Sequence, residues 1–386
     1  MIPTKYPLLG SLVLVFACGF LSHASAATYH VKNGGNNNLN GLSDANAWAT
    51  LQKVNNVNFQ PGDRIRFKRG SAWGHVLRPS GNGTAGNRIV LDAYGSGGMP
   101  RVDPGNEATN TAAAISNQSG YTFRNLEFRR ALRGLTATAT TQNVNAILVD
   151  NCRFQDLNYA AVGDNPGHGL TIAGSRQMTD IRAENNTAVR VTRAFVIEQA
   201  SGAPGLHSLL VTGNTSQNGK SGSFFLGRAM SGSAQNNSCL STTGSSGVWF
   251  GVAGGRIQNS PGYMVKFASF NSIRRNGAPD GCGFDFEGNS NNTLLHTSTS
   301  NNTDGPGVIV LQTGGANINL RITDVDISDP ARNPKNSNQN YSFWVSNTAS
   351  NGTVNRGVWR KGQAAAVRSP NAATNKWVYN GTSFLP

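Results

Sequence analysis

Seven short segments of one design recur along the chain, and their spacing constrains the fold more tightly than any other feature. Each is an apolar-x-apolar run behind a small residue: Gly169-Leu-Thr-Ile172, Ala194-Phe-Val-Ile197, Ser223-Phe-Phe-Leu226, Gly247-Val-Trp-Phe250, Gly283-Phe-Asp-Phe286, Gly307-Val-Ile-Val310 and Ser342-Phe-Trp-Val345. Their first apolar residues stand at 170, 195, 224, 248, 284, 308 and 343, at intervals of 25, 29, 24, 36, 24 and 35. A basic coil of about 24 residues, lengthened by loops in some turns, accounts for every interval. Helical repeats would require amphipathic runs of ten or more residues, and none is present. Propellers and sandwiches would require tight Asn-Gly or Asp-Gly hairpins between neighbouring strands, and these do not dominate. The remaining solution is all-β: a parallel β-helix, a solenoid in which each coil buries its core against its neighbours. Stretches such as Leu209-Leu-Val-Thr-Gly-Asn-Thr215 supply second strands and Asn-rich corners, where stacked Asn side chains satisfy one turn after another.

Residues 1–26 read as a secretory signal peptide, with Lys5 in the n-region, an apolar core from Leu8 to Phe20, and Ala24-Ser25-Ala26 as the cleavage site. Cleavage there would leave residues 27–386 as one β-helix domain with an N-terminal cap over 27–100, released to the periplasm or the exterior. No other stretch is apolar enough to span a bilayer. The formal charge of +14 attracts anionic polymers, which outside a cell are chiefly acidic polysaccharides. Nucleic acid is the rival partner, but no nucleic-acid motif is present. A monomer is expected. Cys152, Cys239 and Cys282 are odd in number and irregular in spacing, and read as small buried residues rather than a disulfide framework or zinc site. The chain lacks a nucleotide loop, a zincin helix, a nucleophile elbow and a dinucleotide fingerprint, which leaves a bound metal as the only cofactor to consider.

The segment Thr28-Tyr-His-Val-Lys-Asn-Gly34, then Asn40-Gly-Leu-Ser43, Trp48-Ala-Thr-Leu51 and Phe59-Gln-Pro-Gly-Asp-Arg-Ile-Arg-Phe-Lys-Arg-Gly70, resembles the N-terminal cap of secreted right-handed parallel β-helix proteins of the pectate-lyase-like superfamily. Asp280-Gly-Cys-Gly-Phe-Asp-Phe-Glu287 and Asn302-Thr-Asp-Gly-Pro-Gly307 are similar to a coil pair recurring in such proteins. The resemblance spans essentially the whole chain after the leader. It implies a right-handed helix and, in members that are enzymes, cleavage of uronic-acid polymers by β-elimination or hydrolysis of glycosides. In the resembling lyases a Lys or Arg is the base, with acid-bound Ca²⁺ beside it. Fold alone does not fix function.

Successive side chains of a strand alternate faces, and equivalent positions of neighbouring coils lie about 4.8 Å apart. With residues 170, 195, 224, 248, 284, 308 and 343 facing inward, an outer column reads Thr171, Val196, Phe225, Trp249, Asp285, Ile309, Trp344. Two residues on, the next reads Glu198, Gly227, Gly251, Glu287, Leu311. Sugar rings stack on aromatic faces while their hydroxyls seek carboxylates, so Trp249 and Phe225 become candidate binding residues, with Asp285 and Glu287 a candidate catalytic pair. A second column in the turns leading into these strands holds Lys220, Asp280 and Asp304, with Arg193 and His168 two positions later on neighbouring coils. Asp280 and Asp304 could share a Ca²⁺ ion, although Asp before Gly is also ordinary turn chemistry.

A lyase must neutralise a uronate carboxylate, remove the proton at C5 and assist the departing oxygen. Arg274, Arg275, Lys266 and Lys220 are the candidate cations and base for that task. Paired acids, Asp285 with Glu287 or Asp280 with Asp304, suit hydrolysis instead. Three readings follow: a lyase on an acidic polysaccharide, which the charge favours, a glycoside hydrolase, and a β-helix that binds glycan without turnover.

Overall fold

The structure, a computed structural model, describes residues 25–385 apart from 159–166, 201–203, 221, 228–231, 241, 244–245, 251–262, 266–267, 274–280, 287–293, 297, 311–317, 329, 333–340, 346–350, 361, 363–364 and 369–375. Residues 1–24, which carry the leader-like run, lie outside the described residues. Among those described, no helix is long and apolar enough to cross a membrane.

The chain is a right-handed parallel β-helix. Three long sheets run along its axis: sheet I with 13 strands from Thr28–Val31 to Lys376–Asn380, sheet II running from Ala72–Trp73 to Ser383–Leu385, and sheet III with ten strands from Asn106–Ser116 to Ala365–Arg368. A typical coil visits III, then I, then II, as in Ala131–Ala139, Val144–Asp150 and Arg153–Leu157. Every strand pairs in parallel with the strand one coil away, for example Leu135 with Leu170, Leu170 with Phe195 and Phe195 with Phe224.

The inward positions of all three sheets form one continuous core. Phe128 stacks on Phe154 at 5.6 Å, Phe154 meets Phe195 edge-on at 6.3 Å, and Phe195 stacks on Phe224 at 4.9 Å. Each such pair adds about 1 kcal/mol beyond the apolar area it buries. At the N-terminal end sheet III has not yet begun, and a short helix, Leu51–Asn55, closes the gap. Thr50 caps it by accepting from the Lys53 amide, and Leu51 and Val54 are buried. Trp48 stacks on Tyr29 at 4.8 Å to complete the lid.

The corners explain the many Asn residues. Between sheets I and II, Asn125, Asn151 and Asn185 take left-handed backbone at φ of 60°, 47° and 55°, which Asn tolerates better than most residues. The next position turns inward and holds a buried ladder. Asn186 Nδ2 donates to Val149 O and to Asn214 Oδ1, both at 2.9 Å. Asn214 Nδ2 donates to Ala183 O and Asn237 Oδ1, and Asn237 Nδ2 to Val211 O. Each Oδ1 also accepts the backbone amide one coil back, from Cys152, Asn186 and Asn214 in turn. Between sheets II and III the left-handed positions are Arg130, Asp156, Arg190 and Asn218. Asp156 binds Arg190 and Arg129 there, and Arg130 grips Asp103 with two nitrogens.

Candidate functional site

The outer face of sheet III carries the residues of interest, and its ladder places them in columns. Thr171 pairs with Val196, Val196 with Phe225, Phe225 with Trp249, Trp249 with Asp285, Asp285 with Ile309, and Ile309 with Trp344. Trp249 and Asp285 therefore stand on adjacent coils of one wall. That wall is not open, however. Phe225 is 8% exposed and Asp285 1%, and Val196 and Ile309 are buried as well. The sequence pattern predicts outward side chains that meet solvent. Here the outward row is largely apolar, and a contiguous apolar strip of that length is unfavourable in water unless covered. Part of the cover is internal: the Arg193 guanidinium lies 4.6 Å from the Phe225 ring centroid.

Of the other residues singled out by sequence, Glu287, Asp280, Arg274, Arg275 and Lys266 lie outside the described residues, as does the Trp249 side chain. Asp304 is buried in the turn before Val308–Val310. The amide of Gly305 donates to Gly281 O, which sets these two glycines on adjacent coils. Among the described residues no three His, Cys, Asp or Glu side chains gather as a metal site would require. Of the two acids expected to share a cation, only Asp304 is therefore located, and its carboxylate could supply oxygen ligands. Lys220 stands two residues before Gly222, the ladder partner of Arg193.

What the structure does bring together is a cationic column at the start of these strands. Arg133, His168 and Arg193 are ladder partners on three consecutive coils. Arg193 is shown to lie on the outer face by its contact with Phe225, and His168 by the 2.9 Å hydrogen bond between its Nδ1 and Thr171 Oγ1. His168 is 7% exposed, and among the described residues its Nε2 has no hydrogen-bond partner. Burial first, then the positive charges of Arg193 and Arg133, drive its pKa down to about 3. The imidazole is thus neutral across the physiological range, on the rung between those of Arg133 and Arg193. Among the described residues Arg133 makes no ion pair.

Arg133 is the residue that sequence reasoning missed. The signal for it was present: Arg133-Gly-Leu135, His168-Gly-Leu170 and Arg193-Ala-Phe195 repeat one order of basic, small and apolar residues. The small residue is obligatory at this bend. A Cβ on Gly134 would come within 2.5 Å of Gly169 O, and one on Gly169 within 2.4 Å of Ala194 O.

A third outer column lies two residues beyond Thr171 and Val196. Ala173, Glu198 and Gly227 are ladder partners there, so the Glu198 carboxylate rises between two small neighbours. It is half-buried and makes no ion pair among the described residues.

No protein-family model matches the chain, and no curated protein matches it. Solved structures do. The lacto-N-biosidase of Eubacterium ramulus, assigned to glycoside hydrolase family 136, superposes with a TM-score of 0.67 at 14% identity, over 93% of this chain and 68% of that one. An alginate lyase from Paenibacillus sp. superposes with a TM-score of 0.48 at 12% identity, over 87% of this chain and 97% of that one. A periplasmic alginate epimerase does so with a TM-score of 0.49 at 11% identity, over 88% and 84%. At such identities the likeness is one of architecture alone, and the architecture is the right-handed parallel β-helix.

Proposed function

We propose that the protein is a secreted polysaccharide lyase that cleaves a uronic-acid-containing glycan by β-elimination on the outer face of sheet III. The observation that carries the reading is a neutral His168 between Arg133 and Arg193. Elimination next to a carboxylate needs two things in one place: cations to neutralise the carboxylate, so that C5 becomes acidic, and a base that is not already protonated. An imidazole at pKa about 3, flanked by two guanidiniums, meets both needs.

The roles follow from the atoms. Arg133 and Arg193 hold the uronate carboxylate, and guanidinium forks suit that planar group. With the hydrogen on Nδ1 donated to Thr171 Oγ1, the lone pair of His168 Nε2 takes the C5 proton. The C–H electrons form the C4–C5 double bond as the C4–O bond breaks. The departing oxygen takes its proton from the Lys220 ammonium, on the coil after Arg193, or from water. Once the carboxylate is seated its charge offsets those of the two arginines, and the basicity of His168 rises at the moment it must accept a proton. Because Nε2 is enclosed in the free protein, the polymer must displace what covers it. Phe225, Trp249 and Asp285, on the coils that follow, are proposed to hold adjoining sugars along the axis. Ca²⁺ held by Asp304 with Asp280 remains part of the proposal as a second source of positive charge.

The same burial favours a second reading, a β-helix that binds acidic glycan without turnover, since Phe225 and Asp285 are covered. Incubation with polyuronates separates the readings. Lyase action yields unsaturated, ultraviolet-absorbing ends; hydrolysis yields new reducing ends without that absorbance; binding yields neither. His168→Gln should lower lyase turnover at least about 100-fold while leaving the circular dichroism spectrum unchanged. Unaltered turnover in that variant would remove His168 from the reaction.

A further inference from the structure

Resting on that reading, we infer that Glu198 selects a glycan in which the cleaved uronate is followed by a neutral sugar, rather than a homopolyuronate. The two outer columns set the geometry. Val196 and Glu198 project from one strand on one side, about 7 Å apart along it, and the Arg193 guanidinium folds over the neighbouring Phe225. Once the cover over the buried Thr171, Val196 and Phe225 is displaced, a polymer lying along the helix axis there has cations on one flank and a carboxylate on the other.

The stereochemistry of an extended 1→4-linked chain does the rest. Diequatorially (β-) linked chains of this kind approximate a two-fold ribbon, in which successive rings present their C5 substituents to opposite sides. A pyranose advances about as far as one rung of the β-helix, roughly 4.8 Å. A uronate on the His168 rung that turns its carboxylate toward Arg133 and Arg193 makes its neighbour, on the Arg193 rung, turn its C5 substituent toward Glu198. If that neighbour is also a uronate, two carboxylates meet across a partly covered surface, and like charges so placed are strongly disfavoured. If it is neutral, its hydroxymethyl or methyl group meets the carboxylate as a hydrogen-bond donor or a bland contact. Ala173 and Gly227 beside Glu198 carry no polar side chain, so nothing on the adjoining rungs of this column softens the repulsion. Glu198 is thus a specificity residue that takes no part in bond breaking.

The test compares β-1→4-linked polymers of matched length in two pairs, polyglucuronate with an alternating glucuronate–glucose polymer and mannuronan with an alternating mannuronate–mannose polymer. The wild-type protein should process the alternating member of at least one pair about tenfold more efficiently, as kcat/KM from ultraviolet-absorbing ends. In Glu198→Gln the ratio between the pair should fall about tenfold, with the gain on the homopolyuronate; Glu198→Asp should restore most of the discrimination, as a charge effect requires. A preference of the wild type for homopolyuronate in both pairs, or an unchanged ratio in Glu198→Gln, overturns the inference. Affinities for the same polymers are measured by calorimetry in parallel. If no polymer is turned over, the lyase reading fails by itself, and the affinity ratio of wild type to Glu198→Gln then decides whether Glu198 discriminates between the polymers.

Discussion

At the residue scale, His168 links acid sensitivity to chemistry. Its pKa is about 3 in the folded chain against an ordinary value near 6.5. Between these values the unfolded chain binds a proton that the folded chain does not, so acid favours unfolding. The advantage of a neutral His168 is complete above about pH 6.5 and is lost as the pH falls toward 3, an effect of up to about 4 kcal/mol. Denaturant titrations across that range should show a steep acid limb in the wild type and a flatter one in His168→Gln. The same depression predicts that kcat/KM keeps its value down to about pH 4, with no acid limb near pH 6.5. An ordinary histidine limb in that profile would show that the base lies elsewhere. Asn214 is a second residue with a predictable cost. Replacing it by Ala orphans Ala183 O and the amide of Asn186 in the interior, and should reduce stability by about 3 kcal/mol in urea titrations.

At the scale of the element, the strand after each small residue was the most legible part of the sequence. Period-two alternation and a fixed small residue specify both faces of a strand, and stacking then turns positions far apart in the chain into neighbours. The pairing of Trp249 with Asp285 follows from those two facts alone. What the alternation does not carry is exposure. A residue such as Asp285 points outward by register yet is buried, because exposure depends on what packs over the sheet and not on the strand itself. Arg133 was easy to pass over because His168 follows it only after 35 residues, longer than the basic coil, which obscures the repeat of Arg133-Gly-Leu135 in His168-Gly-Leu170. The inward side of the same strands is testable directly. Phe224→Ala removes the ring stacked on Phe195 and should cost about 4 kcal/mol, read as a fall in the unfolding midpoint.

At the scale of the whole molecule, the strong positive charge acts at a distance that no single residue does. It should raise the rate of encounter with anionic polymer and make affinity fall as salt rises, because the Debye length shrinks from about 10 Å at 0.1 M to about 3 Å at 1 M. Calorimetric titration with a polyuronate at several salt concentrations measures this slope; a flat response would mean that the charge is irrelevant to recognition. The buried thiols are a matter of the packed stack as a whole. Cys152, Cys239 and Cys282 sit in the interior, and burial pushes the Cys152 thiol up to about 12 and Cys239 up to about 11. They should resist thiol reagents until the chain unfolds.

Coil lengths differ along the chain, while ladder partners such as His168 and Arg193, or Glu198 and Gly227, stay side by side. The wall keeps its spacing. One outward position can then exchange a carboxylate for a hydrogen or a guanidinium for an imidazole with no renegotiation elsewhere. A wall assembled in this way resembles a line of movable type, in which a lineage changes what it reads by resetting single characters.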